Sequence, residues 1–161
     1  MCKSCVTYLL TYLLFQSVLL KEVVIEPNVK LECVPKFCYL GDTLGAGGGV
    51  EEAARARVRC AWAKFKELSP ILTARGASYR IKGKIYKACV QSALTYGTET
   101  WAMKKANLQS LERTERMMAR WMCGVSLKDR KRSVDLYSLL RVQSVAEVVR
   151  RGRLRWFGHV E

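Results

Sequence analysis

The spacing of apolar residues changes twice along the 161 residues of the chain, and each change predicts a different kind of structure. Residues 4–20 carry no charge and are mostly apolar without a clear period. From Val23 to Leu40 apolar and polar residues alternate, as on strands with one buried face. Beyond Val50 the apolar residues recur every three or four positions, as on helices that pack on one side. The sequence therefore predicts a mainly α protein, a helical bundle preceded by a short β-hairpin and an apolar N-terminal segment, with divisions at residues 1–22, 23–49 and 50–161.

The strands are predicted around a turn at residues 26–28. Residues 23–25 and 29–33 flank Glu26-Pro27-Asn28, where proline presets the turn and asparagine tolerates its bend. Another short strand is predicted over residues 37–40. The glycine-rich stretch at 41–49 is expected to break regular structure and to act as a flexible connector, because it lacks the Gly-Lys-Ser/Thr ending of a phosphate-binding loop.

Helices are predicted over residues 50–68, over about 78–96, from an N-cap at Asn107 to Gly124, over about 134–140, and after a capping box formed by Ser144 and Glu147. In chain order, the faces predicted to be buried are Ala54, Val58, Ala61, Phe65 and Leu68; Ile81, Ile85, Ala88 and Ser92; Leu108, Leu111, Met118 and Met122; and Val145, Val148, Val149, Gly152 and Trp156. All four tryptophans lie in or beside these apolar patterns, which favours core packing over stacking on nucleic-acid bases for Trp62, Trp101, Trp121 and Trp156.

Charge is distributed unevenly along the chain. Its 28 basic and 14 acidic residues give a net charge of +14, yet residues 1–50 are neutral overall. Such an excess on the helical part favours a polyanionic partner, most commonly nucleic acid, over the alternative of a solvated charged surface. The candidate phosphate-binding residues lie on the second helix, in a loop and on the last helix: Arg80, Lys84 and Lys87, with Gln91 on the same stripe; Lys128, Arg130, Lys131 and Arg132; and Arg150, Arg151, Arg153 and Arg155.

Residues for catalysis or metal binding are scarce. Polymerase chemistry needs carboxylates that hold two metal ions, and the three aspartates, Asp42, Asp129 and Asp135, include no adjacent pair. Asp129 is expected to pair with its basic neighbours rather than to bind magnesium. His159 is the only histidine, and the seven cysteines show no zinc-finger or disulfide spacing, so we expect no catalytic residue and no metal, with reduced thiols in an intracellular protein.

Several strings resemble the C-terminal part of LINE-type, non-LTR retrotransposon reverse transcriptases, in the same order and at similar spacing over roughly residues 30–161. These are FCYLG (Phe37–Gly41), KGKIYKACVQSALTYGTETW (Lys82–Trp101), LERTERMMARW (Leu111–Trp121), WMCGVSLKDRKRS (Trp121–Ser133) and RRGRLRWFGHVE (Arg150–Glu161). The resemblance implies that Tyr39, Leu40 and Gly41 correspond to the primer grip. It also implies that the helices after them form a thumb that holds a primer–template duplex of RNA or DNA by its backbone.

The same resemblance limits the expected activity. The fingers, most of the palm, the catalytic aspartates and the upstream endonuclease of the family have no counterpart here, so the chain alone is expected to be inactive as a polymerase. No cofactor is expected, and magnesium would belong to the complete polymerase. The expected function is that of a polymerase fragment that binds nucleic acid through phosphates. A small basic membrane-associated protein and a decayed reading frame without function are the alternatives.

Residues 4–20 leave three interpretations open. The segment is short for a membrane span, which needs about 20 apolar residues, and no small-residue cleavage site for a signal peptide follows it. It is interpreted as a buried element of a larger polymerase, as a membrane or signal segment, or as an artefact of truncated translation. The expected location is therefore nuclear or cytoplasmic, and a membrane if the segment inserts.

Overall fold

The computed structural model describes residues 22–26, 29–32, 34–39, 42–45 and 50–160. The chain divides into two compact units, Met1–Ala53 and Ala54–Glu161. The predicted apolar segment at residues 4–20 lies outside the described part. Within that part, no helix has both the length and the apolar character needed to cross a membrane.

Two antiparallel hairpins form the described part of the first unit. The first hairpin pairs β1 (Glu22–Glu26) with β2 (Val29–Glu32), and Val23 lies opposite Leu31. The register shifts between Val24 and Glu26, which marks a bulge. The predicted pairing of strands on either side of residues 26–28 is confirmed.

The second hairpin pairs β3 (Lys36–Tyr39) with β4 (Asp42–Gly45). The strand β3 was predicted, but the prediction that residues 41–49 act only as a connector is wrong for β4. Two residues, Leu40 and Gly41, separate these strands, and glycine is favoured in two-residue hairpin connections. The hairpin signal was present in the glycine-rich sequence and was interpreted as a break.

Helices form the rest of the described chain, and the prediction of a mainly α helical bundle preceded by β-hairpin structure is confirmed. They are α1 (Val50–Glu67), α2 (Ser69–Leu72), α3 (Tyr79–Ile85, continued by a π-helical segment Tyr86–Gln91 and by Ser92–Thr95), α4 (Lys105–Cys123), a 3₁₀ turn (Leu127–Asp129), α5 (Ser133–Leu140) and α6 (Val145–Val160).

The core of the second unit receives side chains from all six of these helices, including Leu72 of α2. Its members include Ala61, Phe65, Tyr86, Val90, Leu94, Leu111, Met118, Met122, Leu136, Leu140, Val145 and Val149. The apolar faces predicted for α1 and α4 contribute residues to this core, as expected. Gly124 ends α4 in the left-handed conformation with φ of 66°, as predicted, because glycine adopts it without steric cost. Asn107, however, lies buried within α4 rather than at its N-cap, which is Lys104.

Helix α3 is rotated relative to the prediction. Ile81, Ala88 and Ser92 are exposed, whereas Tyr86, Val90 and Leu94 are buried. The rotation also buries two polar side chains, Lys82 and Gln91, of which Gln91 had been predicted on the polar stripe. Lys82 Nζ donates to the carbonyl oxygen of Met122 at 2.9 Å, and Gln91 Nε2 donates to that of Gln143 at 2.7 Å. Because buried polar groups that are hydrogen-bonded carry little penalty, these contacts decide the orientation of the helix.

Lys82 stabilises the end of α4. Its ammonium group is buried against the last turn, where the unbonded carbonyls and the helix dipole favour a positive charge. The contact therefore fastens α3 to the C-terminal end of α4.

Glu115 on α4 joins three other helices although it is only 1% exposed. Its Oε1 accepts from Gln91 Nε2 at 3.0 Å, and its Oε2 accepts from the backbone N–H of Val145 at 2.8 Å. Tyr137 is a further hydrogen-bond partner. Burial raises the pKa of this carboxyl group to about 7, against the opposing effect of the three donors.

The last helix begins where it was predicted to begin, but its contact with the core ends earlier along the helix than predicted. Ser144 Oγ accepts from the N–H of Glu147 at 3.4 Å, which confirms Ser144 at the helix start. Val145 and Val149 are buried, but Trp156 is 42% exposed, so the prediction that it packs in the core is wrong. Every residue from Arg153 to Val160 is exposed, because this half of α6 has no neighbouring helix against it in the described part of the chain.

Replacing Gly83 by alanine is expected to destabilise the fold. A β-carbon at this position would overlap the carbonyl oxygen of Leu140, and backbone cannot move aside as a flexible side chain does. The free energy of unfolding from urea titration should fall by about 1–3 kcal/mol or more. Gly158→Ala is the matched control, since it gains the same helix propensity and meets no atom. Equal stabilities of the two variants would contradict the close approach of α3 to Leu140.

The pKa of Glu115 predicts a specific loss of stability with rising pH. Since the carboxyl group has a pKa of about 7 when folded and an ordinary value of 4.5, the folded state binds the extra proton between these values. The free energy of unfolding should therefore fall by about 2–3 kcal/mol between roughly pH 5 and pH 8. Urea titrations at both pH values measure it. Glu115→Gln should lack this decrease and the exposed Glu147→Gln should keep it; the same pH slope in wild type and Glu115→Gln would refute the assignment.

Candidate nucleic-acid interface

An open groove of about 500 Å³ lies where the C-terminal part of α4 meets the 3₁₀ turn and the start of α5. Three arginines and several apolar side chains line it: Arg113, Arg116, Met117, Arg120, Trp121, Val125, Ser126, Leu127 and Ser133. Basic and apolar groups therefore share one surface.

The amphipathic pattern of α4 explains why its arginines face the groove. Arg113, Arg116 and Arg120 are spaced by three and four residues, so they lie on one side of the helix. Met118 and Met122 point into the core from the opposite side. Core packing thus fixes the direction of the arginine row.

Trp121 lies at the edge of the arginine row and is 58% exposed. Its ring meets Trp62 at 5.9 Å and Phe65 at 6.1 Å, both on α1 and both at steep angles of 69° and 67°. The prediction of core packing holds for buried Trp101 and half-buried Trp62, but it is wrong for Trp121 as it is for Trp156. The apolar spacing of α4 could not distinguish a core position from one at the border of the core.

The loop after α4 is held by a small capping motif. Asp129 Oδ2 accepts from the backbone N–H of Ser126 at 2.7 Å and from its hydroxyl group at 2.9 Å. These two bonds, followed by the charges of Lys131 and Arg120, lower the pKa of Asp129. Arg120 in turn donates to the carbonyl oxygen of Ser126 at 3.4 Å. The first partner of Asp129 is therefore Ser126 rather than the basic neighbours that were predicted.

All eleven basic residues predicted to bind phosphates are exposed, but they do not form one cluster. Residues 128–132 connect Leu127 to Ser133, which both line the groove, and we call this loop the rim of the groove. Arg132 pairs with Asp135 at 3.3 Å. The sets on α3 (Arg80, Lys84, Lys87) and on α6 (Arg150, Arg151, Arg153, Arg155) do not line the groove. Whether these sets bind phosphates stays a prediction.

The sequence analysis missed Arg113, Arg116 and Arg120. A signal was present in the sequence, because the three arginines recur at helical spacing while Met117 and Trp121, four residues apart, run beside them. The whole string had been interpreted only as a helix with one apolar face. A row of arginines spaced along a helix is harder to recognise than the four basic residues clustered at 128–132.

The predicted primer-grip residues are described only in part. Tyr39, at the end of β3, is exposed, and its ring stacks with that of Phe37 at a centroid distance of 6.4 Å. Leu40 and Gly41 lie outside the described residues. The role of the three positions stays a prediction.

The described carboxylates are not arranged as a metal site. Asp129 is bonded to Ser126, and Asp135 is paired with Arg132. In the described part of the chain, no three histidine, cysteine, aspartate or glutamate side chains lie together as a possible ion site.

Comparison with known proteins gives one informative similarity. No protein-family model matches the chain, and no solved structure matches it. A Caenorhabditis elegans protein with the name "putative uncharacterized transposon-derived protein" is 29% identical over 137 residues. The matched region is 83% of this chain and 49% of that protein, so the chain spans about half the length of its relative. The similarity supports a transposon origin for this chain.

Proposed function

We propose that the chain binds nucleic acid through the phosphate backbone and derives from the thumb-like region of a retrotransposon reverse transcriptase. The observation that carries the proposal is the row of Arg113, Arg116 and Arg120 in an open groove whose rim is a basic loop. Arginine pairs with phosphate oxygens through two parallel hydrogen bonds, so a row of three can follow a backbone.

The charge balance of this region supports a polyanionic ligand. Between Arg113 and Ser133 there are seven basic and two acidic residues. Neither acidic residue opposes an incoming phosphate strongly, because Glu115 is buried on the other side of α4 and Asp129 is bonded by Ser126. The groove and its rim therefore present an excess of positive charge.

Two further considerations support the reverse-transcriptase origin. The strings of residues 111–121 and 121–133, which resemble LINE-type enzymes, contain the arginine row and the basic loop. The transposon-derived relative agrees with a mobile element. On this proposal the partner is a primer–template duplex in the nucleus or cytoplasm, the sets on α3 and α6 add phosphate contacts, and Tyr39, Leu40 and Gly41 lie near the primer end.

Polymerase chemistry is not assigned to this chain. The described carboxylates do not fit a two-metal centre, because Asp129 and Asp135 are engaged by Ser126 and Arg132. The magnesium ions of the family would belong to a palm supplied by the complete enzyme. The proposed capacity of this chain is binding alone.

Fluorescence anisotropy with a labelled DNA duplex and an RNA–DNA hybrid tests the proposal. The affinity of the full chain should fall by orders of magnitude between about 50 and 200 mM salt, because each phosphate contact releases condensed counterions. Replacing Arg113, Arg116 and Arg120 together by glutamine should weaken binding to all sequences alike. It should also reduce the slope of log affinity against log salt by about three.

A charge-matched control distinguishes the effect of losing the groove arginines from the effect of lowering the net charge of the protein. The triple variant Arg59→Gln, Lys104→Gln and Lys105→Gln removes the same charge from exposed positions outside the groove. It should keep most of the affinity and of the salt slope. Equal losses in the two triple variants, or binding that is indifferent to salt, would overturn the proposed site.

A further inference from the structure

We infer that Trp121 is a stacking platform for an unpaired base, so that the groove takes the single-stranded part of a primer–template rather than its duplex. The inference rests on the proposed function and deepens it by naming the strand state of the ligand. Trp121 lies beside the arginine row, and more than half of its surface is open to the groove or to solvent.

The surroundings of Trp121 keep it available for stacking. Trp62 and Phe65 meet its ring at steep angles, so neither covers it by parallel stacking. These two residues also contact each other at 5.7 Å, and Phe65 is completely buried in the core. The indole is therefore braced by α1 before any ligand binds, which lowers the entropic cost of binding.

The chemistry of the groove fits a single strand better than a duplex. Apolar side chains next to the arginines, Met117 and Leu127, are 47% and 78% exposed. Phosphates alone would gain nothing from this apolar surface, whereas an unpaired base offers a π face to the indole while its phosphates meet the guanidinium groups. A duplex keeps its bases stacked inside and presents only the backbone to such a groove.

The spacing of residues along α4 allows one nucleotide to contact an arginine with its phosphate and Trp121 with its base. Arg116 and Arg120 lie about one helical turn apart, roughly 6 Å along the axis, and Trp121 follows Arg120 directly. One nucleotide can thus place its phosphate against Arg120 and its base against Trp121. Exposed tryptophan and arginine are also enriched at protein–protein interfaces. The following experiment distinguishes a protein partner from a single strand of nucleic acid.

The experiment compares three probes with the full chain at low salt: a labelled single-stranded oligonucleotide, the same length carrying abasic sites, and a duplex. The abasic strand keeps the phosphates and lacks the bases. Wild type should bind the intact strand about 5- to 100-fold more tightly than the abasic one. Trp121→Leu should lose this difference and keep its affinity for the duplex within about twofold, whereas Trp121→Phe should retain part of it.

Trp156→Leu is the matched control, because Trp156 is also exposed but lies outside the groove. It should keep the preference for intact bases. Duplex affinity reports whether each variant is folded and whether the phosphate site is present. If wild type binds the duplex and both single strands with equal affinity, the base platform is refuted and the proposed function stands. If none of the three probes is bound, both are refuted.

Discussion

The buried carboxylate of Glu115 is the contact on which the arrangement of the helical unit depends. It has donors from three other helices and no cation as partner, so its position is set by hydrogen bonds: Gln91 on α3, Tyr137 on α5 and the first N–H of α6. Removing the Gln91 donor would leave Oε1 of Glu115, a buried acceptor, without this partner, which costs about 1–3 kcal/mol. The helix that carries Glu115 is thereby fixed in rotation as well as in position.

That fixed rotation connects the core to the candidate interface. Glu115 and Met118 point inward, so Arg116 and Arg120 on the same helix must point outward. At the C-terminal end of α4, the ammonium group of Lys82 binds Met122 and holds the turn from which Trp121 projects. One buried acid and one buried base therefore orient a surface on which neither is exposed.

The sequence predicts most elements of this fold but not the contacts that orient them. Apolar periodicity located α1 and α4 because apolar residues at helical spacing, such as Phe65 and Met118, are buried, although α4 also buries Glu115. It failed for α3, where Lys82 and Gln91 are buried and Ile81 is exposed, since the hydrogen bonds that permit this join residues 40 and 52 positions apart. It failed again at Trp156, because no local pattern shows where a neighbouring helix ends.

The candidate site likewise combines features that the sequence predicts with features that depend on contacts between distant residues. The basic loop is evident because four of the five residues at 128–132 are basic, whereas the arginine row of α4 becomes a candidate site only when the 3₁₀ turn and α5 form a groove beside it. Trp121 belongs to both the apolar pattern and the surface, because it borders the core through Phe65 and the groove on its other side. Phosphate binding by the arginines is independent of base identity, and stacking is independent of charge. Since different side chains of one rigid helix would perform these two tasks, affinity for the backbone and preference for unpaired strands can be altered separately without disturbing the core that Glu115 holds.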